Sequence, residues 1–248
     1  MSGNSIKTKE ETQQILQDSN FFNNAALSDV KVYFSGTWIH AHRYQLAKYS
    51  PWFFRAFTGA FPVATEDIID LGDDDSLCLV TGMLRHIYGF PYQEIVLDPH
   101  DDFPQNPSTS TFNHTLSYNL EIYILADKYD VPSLRTLAVS AFMQELPNTL
   151  VDVVLGDVVD RLFGIVCADR SLQENVLEFV FKKIRFLTLH NNDFMDRLFK
   201  RELFGKKITI KVLKAILAIR GWDANRILRR QHQRAVELAR SLGVRVAY

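Results

Sequence analysis

His40 and His42 are the closest pair among the seven histidines of the chain, and metal binding is the first chemistry they suggest. Two residues apart on a strand, they point to the same face, as two ligands of one ion must. No Cys, Asp or Glu joins them at ligand spacing, so no metal site is expected. His100, Asp101 and Asp102 fall in a Pro-rich stretch and read as solvated loop residues. The two cysteines, Cys78 and Cys167, lie far apart inside apolar segments, which suits buried thiols in a reducing compartment. Nucleophilic and phosphate chemistry find no footing either. There is no G-x-S-x-G elbow, no H-E-x-x-H pair and no phosphate-cradling glycine cluster. Neither a catalytic residue nor a cofactor is expected, and the protein does not read as an enzyme.

Charge gives one asymmetry. The 28 basic and 29 acidic residues leave a net charge of -1, which offers no polyanionic partner across the whole chain. From Arg220 to Tyr248, however, seven arginines face only Asp223 and Glu237, and Leu228, Ala235, Leu238, Ala239 and Leu242 give the same stretch an apolar face. A basic helix of this kind suits nucleic acid, an acidic partner or a membrane surface. A docked terminal helix with a solvated Arg face is the expectation, and nucleic acid is not the expected partner. With 47% hydrophobic residues and 18 Phe, a sizeable core is affordable without disulfides or metals. Met1–Glu10 is polar and lacks the apolar region of a signal peptide, and no segment approaches the ~18 consecutive apolar residues of a membrane helix. The expectation is an intracellular protein, cytoplasmic or nuclear, with no membrane partner.

The elements follow from periodicity. Residues 1–24 form a polar segment with a short helix around Ile15, Leu16, Phe21 and Phe22. Val30, Val32 and Phe34 alternate with polar neighbours, which predicts a strand over Ser28–Phe34. Ser35-Gly36 is a turn and Thr37–Ala41 the returning strand. His42–Tyr49 and Pro51–Phe61 read as helices, with Ser50 as N-cap and Pro51 at the first helical position. Glu66–Leu71 is a third strand. Leu77–Tyr88 is a helix with Leu77, Val80, Leu84 and Ile87 on one face, capped by Asp75 or Ser76. Gly89–Tyr92 is a turn, Glu94–Leu97 a fourth short strand, and Asp98–Thr115 a long loop rich in Pro, Asp, Ser and Thr. Leu116–Tyr129 is a helix apolar on all sides, broken by Val131-Pro132. Ser133–Leu146 follows with Leu134, Leu137, Ala138, Ala141 and Phe142 at helical steps. Beyond Pro147 everything reads as helix, with signals at Leu177/Val180/Phe181/Ile184, at Phe194/Leu198/Phe199, over Val212–Ile219 and over Ile227–Leu242. The fold class is α/β (α+β): a small sheet of three or four strands flanked by helices over residues 25–146, then an all-α extension over 147–248.

Five runs in order and in register resemble the BTB/POZ family over residues 27–146. Leu27-Ser28-Asp29-Val30-Lys31-Val32 is similar to its opening strand. Trp38-Ile39-His40-Ala41-His42-Arg43-Tyr44-Gln45-Leu46, continuing to Ser50-Pro51-Trp52-Phe53, resembles the second strand and the first helix pair. Ile68-Ile69-Asp70-Leu71-Gly72-Asp73-Asp74 looks like the third strand and its acidic turn. His86-Ile87-Tyr88-Gly89 resembles a helix end, and Leu125-Ala126-Asp127-Lys128-Tyr129-Asp130-Val131-Pro132-Ser133-Leu134 the fourth and fifth helices. The Asp-Lys-Tyr-Asp-Val-Pro form and the long loop resemble stand-alone BTB proteins of filamentous fungi.

The resemblance implies a non-enzymatic protein–protein interaction scaffold or adaptor whose partners are other proteins, a second copy of the chain among them as a homodimer. The partner-binding candidates it offers are Asp29, His42, Arg43, Phe61, Glu66, Tyr88 and Tyr92. One alternative is a substrate adaptor of a cullin-type ubiquitin ligase. Cullin-binding relatives carry a hydrophobic-x-Glu motif, and here Phe61 supplies the hydrophobe while Val63 stands where Glu is expected. A further alternative is a nucleic-acid-associated regulator that uses the Arg-rich C-terminal helix.

Overall fold

The sheet forms because its apolar residues alternate. In the computed structural model, which describes residues 17–60, 62–93, 111–151, 154–219 and 226–244, strands β1 (Val30–Phe34), β2 (Thr37–Ala41) and β3 (Ile68–Asp70) lie in the order β2-β1-β3. The period of two sends Val30, Val32, Phe34, Ile39, Ala41 and Ile69 into the core. Lys31, Tyr33, Trp38, His40 and Ile68 take the other face, where the Lys31 ammonium lies 4.2 Å from the Trp38 ring. β1 and β2 pair antiparallel, with Phe34 opposite Thr37. Ser35 and Gly36 between them both have positive φ, 46° and 74°, as a two-residue turn matched to the strand twist requires. Ser35 tolerates this because it is held: its hydroxyl donates to the Asp75 carbonyl (2.7 Å) and its N–H to the Gly72 carbonyl (3.2 Å).

β1 and β3 pair in parallel, with Val32 opposite Ile69, so the chain must cross over between them. Helices α1 (Arg43–Tyr49) and α2 (Pro51–Thr58) and a 3-10 turn (Pro62–Ala64) make that crossover. Ser50 joins the two helices as predicted. Its hydroxyl oxygen accepts the Phe53 N–H (3.0 Å), while its O–H donates to the Tyr129 carbonyl (2.6 Å) across the fold. Helix α2 stops at Thr58, short of the predicted Phe61, with Gly59 at its C-cap.

The helices then accumulate. α3 (Leu77–Ile87) buries Val80, Met83, Leu84 and Ile87. Leu77, predicted on that face, is exposed because it occupies the open first position of the helix. Ser76 is the N-cap but makes no side-chain capping bond. The predicted strand Glu94–Leu97 and most of the predicted loop lie outside the described residues. The last residues of that predicted loop, 111–115, are helical, since α4 (Thr111–Lys128) begins before Leu116. α4 is buried on most sides, through Leu116, Tyr118, Leu120, Ile122, Tyr123, Leu125 and Ala126. α5 (Pro132–Glu145) buries Leu134, Ala138 and Phe142, one residue per turn. Leu137, predicted among them, is exposed because the seam follows the i, i+4 row and leaves the i+3 position outside.

α6 (Val154–Gly164), α7 (Ser171–His190), α8 (Asn192–Lys200), α9 (Lys206–Leu217) and α10 (Arg226–Ser241) complete the chain. The seam of α7 is Leu172, Val176, Val180, Ile184 and Leu187; Leu177 and Phe181, predicted on it, are half-buried. The Asn191 side chain caps α8, accepting from the Phe194 N–H (2.8 Å), and its amide donates to the Leu150 carbonyl (3.0 Å). α6 packs on α4, and α7 on α5. Apart from Leu228, Val236 and Ala239 on α10, the buried apolar side chains of the described residues form one cluster from Val30 to Ala235, so the helical region shares its core with the sheet region.

Candidate functional site

The start of α1 sits against the end of α3, and there several of the predicted residues meet. Asp29, just before β1, reaches across the hairpin. Its Oδ1 accepts the Arg43 N–H at 2.8 Å, closing the first turn of α1 from 14 residues away. The negative charge also favours that helix end. His42 is the N-cap residue yet makes no side-chain capping bond. Its ring spans two partners instead. Nε2–H donates to the Ala26 carbonyl (2.9 Å), and Nδ1 accepts from the Tyr88 hydroxyl (2.8 Å). The Tyr88 oxygen in turn accepts the His42 backbone N–H at 2.9 Å. Burial pushes the Tyr88 phenol up to about 12; the His42 N–H works against that rise, and Asp29 and Asp18 add to it.

Arg43 points away from this cluster. Its guanidinium donates to the carbonyls of Val63 (3.4 Å), Ala64 (3.1 Å) and Glu66, and lies 4.8 Å from the Phe57 ring. It therefore clamps the 3-10 turn that leads into β3. Glu66 contributes only its carbonyl to this clamp, while its side chain is exposed. Val63 is half-buried and packs on the core. Phe61 lies outside the described residues. Tyr92 is apart from the others: its hydroxyl donates to Asn119 Oδ1 (2.7 Å), and burial raises its pKa. The structure thus brings Asp29, His42 and Tyr88 together, gives Arg43 and Glu66 to the neighbouring turn, and leaves Tyr92 on a separate contact.

A cleft opens over the Asp29–His42–Tyr88 group, lined also by Asp18, Phe21, Leu27, Tyr44 and Gln45. Gln45 forms its floor, donating to the Ile87 carbonyl (2.7 Å) and to Asp18 Oδ2 (3.0 Å). At its rim stand two apolar side chains with almost no cover: Leu27 is 84% exposed and Tyr44 77%. Neither is among the partner-binding candidates expected from the sequence. Tyr44 carries a signal, since it precedes the buried pair Gln45 and Leu46 on a short helix and must face outward. Leu27 carries none, because its exposure follows from a φ of 60° that its type disfavours.

The arrangement has the parts of a docking surface, a cleft with exposed apolar side chains at its rim. Asp29 Oδ1, both ring nitrogens of His42 and the Tyr88 hydroxyl are engaged with one another or with backbone. Among the described residues no group of three or more His, Cys, Asp or Glu is placed to hold a metal ion. His40 and His42 do not converge: His40 meets the Trp38 ring edge-on, while His42 turns to Tyr88. Among the described residues no helix is long and apolar enough to cross a membrane.

Comparison with known proteins agrees with the region. No curated protein matches the chain. The family model for the BTB/POZ domain matches residues 19–89, from the 3-10 turn Asp18–Phe21 through β1, β2, α1, α2 and β3 to the end of α3. The resemblance of α4 and α5 lies beyond the matched stretch. The match, the three-stranded sheet and its flanking helices agree, and residues 19–89 of this chain are a BTB/POZ domain.

Proposed function

We propose that the protein is a non-enzymatic scaffold that associates with a second copy of itself through the cleft beside α1. A BTB/POZ domain supports a role in protein–protein interaction in general. The observation that carries the finer reading is the rim of Leu27 and Tyr44. Two large apolar side chains exposed at the rim of one cleft give it an apolar edge that a protein partner can cover. Asp29, His42 and Tyr88 shape the cleft, and their internal bonds make it a preformed surface. Light scattering after size exclusion at micromolar concentration tests this. The wild-type chain is expected as a dimer. Tyr44→Glu, and separately Leu27→Asp, are expected to elute as monomers with unchanged circular dichroism; both positions are exposed, and Asp suits the positive φ at residue 27. A monomeric wild type sinks the proposal.

A substrate adaptor of a cullin-type ligase is the second reading, favoured by the helical region after α5, whose α6 packs on α4 and α7 on α5. Val63 weighs against it, since an apolar, half-buried residue stands where the cullin contact wants Glu. Co-elution of the chain with a purified cullin N-terminal domain would select this reading, and its absence the scaffold.

A further inference from the structure

The net charge of -1 conceals a separation. Residues 197–248 hold fourteen of the 28 Lys and Arg and only three of the 29 Asp and Glu, so the rest of the chain is as acidic as this end is basic. In the sequence the basic character stands out only in the Arg-rich tail. The structure widens it, because α9 carries a second cationic row. α9 buries Thr209, Val212, Leu213 and Ile216 and exposes Lys207, Lys211 and Lys214 on the opposite side, at i, i+4 and i+7. α10 buries Leu228, Gln231, Ala235, Val236 and Ala239 and turns Arg226 and Arg230 to solvent. The two helices pack against each other and both pack on α7, so each keeps its basic side open. Arg234 is spent on an ion pair with Asp196 (2.7 Å). The three lysines, Arg226 and Arg230 form no ion pair among the described residues.

We propose that the open face of α9 and α10 binds the phosphate backbone of duplex nucleic acid without regard to sequence. Three observations favour this partner. The cations lie along straight helical rows about 5–6 Å apart at a rise of 1.5 Å per residue, which suits a regular polyanion. The only large apolar side chain exposed on α10 among the described residues is Ile227, and protein–protein interfaces want an apolar or aromatic centre with charge at the rim. The apolar side of α10 is committed to the core, so none is left to enter a lipid surface. The absence of exposed aromatics on these two helices, among the described residues, also removes the stacking platforms on which single strands bind.

The experiment is fluorescence anisotropy of the full chain with a labelled duplex of arbitrary sequence, from 50 to 200 mM salt. Affinity is expected to fall steeply with salt, with a log–log slope near -0.9 for each phosphate neutralised. Lys207→Gln/Lys211→Gln/Lys214→Gln is expected to lower affinity at 50 mM salt at least tenfold and to flatten the slope by about two to three. The charge-preserving Lys→Arg triple is expected to bind as wild type, and circular dichroism to show all variants folded. No duplex binding at 50 mM salt overturns the proposal. So does binding that survives both the lysine triple and Arg226→Gln/Arg230→Gln. Binding to vesicles of one-third phosphatidylserine but not to duplex, or a salt-sensitive self-association that the lysine triple abolishes in place of duplex binding, assigns the face to another partner and overturns it as well.

Discussion

Tyr88 donates to one atom of His42 and accepts from another, and is 1% exposed. Tyr88→Phe keeps the ring and leaves the His42 N–H and Nδ1 without partners. The expected cost is about 1–3 kcal/mol, seen as a lower urea midpoint at unchanged slope; an unchanged midpoint would show that the pair contributes nothing. The phenol also sets a pH limit. Its folded pKa, about 12, lies above the ordinary 10, so the folded state holds a proton that the unfolded chain releases. The stabilisation is complete below pH 10 and declines as pH rises from 10 toward 12. Burial raises Tyr92, Tyr123 and Tyr129 in the same direction, Tyr123 and Tyr129 also through Asp169 and Asp75. Stability is expected to fall steeply above pH 10, with ionisation of these four phenols coinciding with loss of helix. Their ionisation in the still-helical protein, followed by NMR of the tyrosine ring carbons, would contradict it. His42 and Asp29 stand out in the sequence through the motif they share with a family. Tyr88 and Arg43 stand out in the same way, but who bonds to whom does not, because Ala26, Tyr88 and the Arg43 N–H belong to other elements than the groups they meet. The case of Arg43 is plainer: its acceptors are three backbone carbonyls, and a backbone carbonyl leaves no trace in residue type.

Elements were legible where one periodicity ruled and less so where packing decided. β1, β2 and the Ser50-Pro51 helix junction follow from alternation, a turn and a cap. α6 drew no signal of its own, because its run of valines suits a strand as well as a helix; Val154, Leu155, Val158, Val159 and Leu162 become a seam only against α4 and α8. Gly156 on that helix admits α8 closely, since a Cβ there would lie 2.7 Å from Asp193 Oδ2. Long-range polar anchors also escaped the sequence. Asp127, at the end of α4, accepts the N–H groups of Ala168 (2.7 Å) and Asp169 (3.0 Å) and the Arg135 guanidinium (3.1 Å). One carboxylate thus ties α4, α5 and the approach to α7. It is 9% exposed, and Arg135 19%. Asp127→Ala would leave two N–H groups unpaired and take from the mostly covered Arg135 guanidinium its nearer carboxylate, leaving it Asp169 Oδ2 at 3.7 Å, at an expected cost of about 2–4 kcal/mol. Asp127→Asn, which keeps acceptor capacity, is expected to lose less. Equal loss in the two variants, measured by chemical denaturation, would mean that shape and not hydrogen bonding sets the anchor.

The whole molecule poses the question of where the folding unit ends. Architecture changes near residue 146, where the sheet-bearing region gives way to helices alone, and a boundary there is the natural reading of the sequence. The core argues otherwise. α6 covers α4 and α7 covers α5, and the Tyr123 hydroxyl near the middle of α4 donates to the Asp169 carbonyl (2.8 Å) beyond the boundary. A fragment ending at residue 146 would expose those faces of α4 and α5, and would lose the Asp127 contacts with residues 168 and 169. For a domain of that size each kcal/mol lost lowers the melting temperature by roughly 4 °C or more. The fragment is therefore expected to melt at least about 10 °C below the full chain, or to aggregate, and to bind a dye specific for exposed apolar surface. A fragment as stable as the full chain would place the boundary at 146 after all, with the helical region a docked accessory. In the expected case the basic face of α9 and α10 and the cleft beside α1 sit on one cooperative body, so the orientation between the partners they hold is fixed by the core and not by a linker.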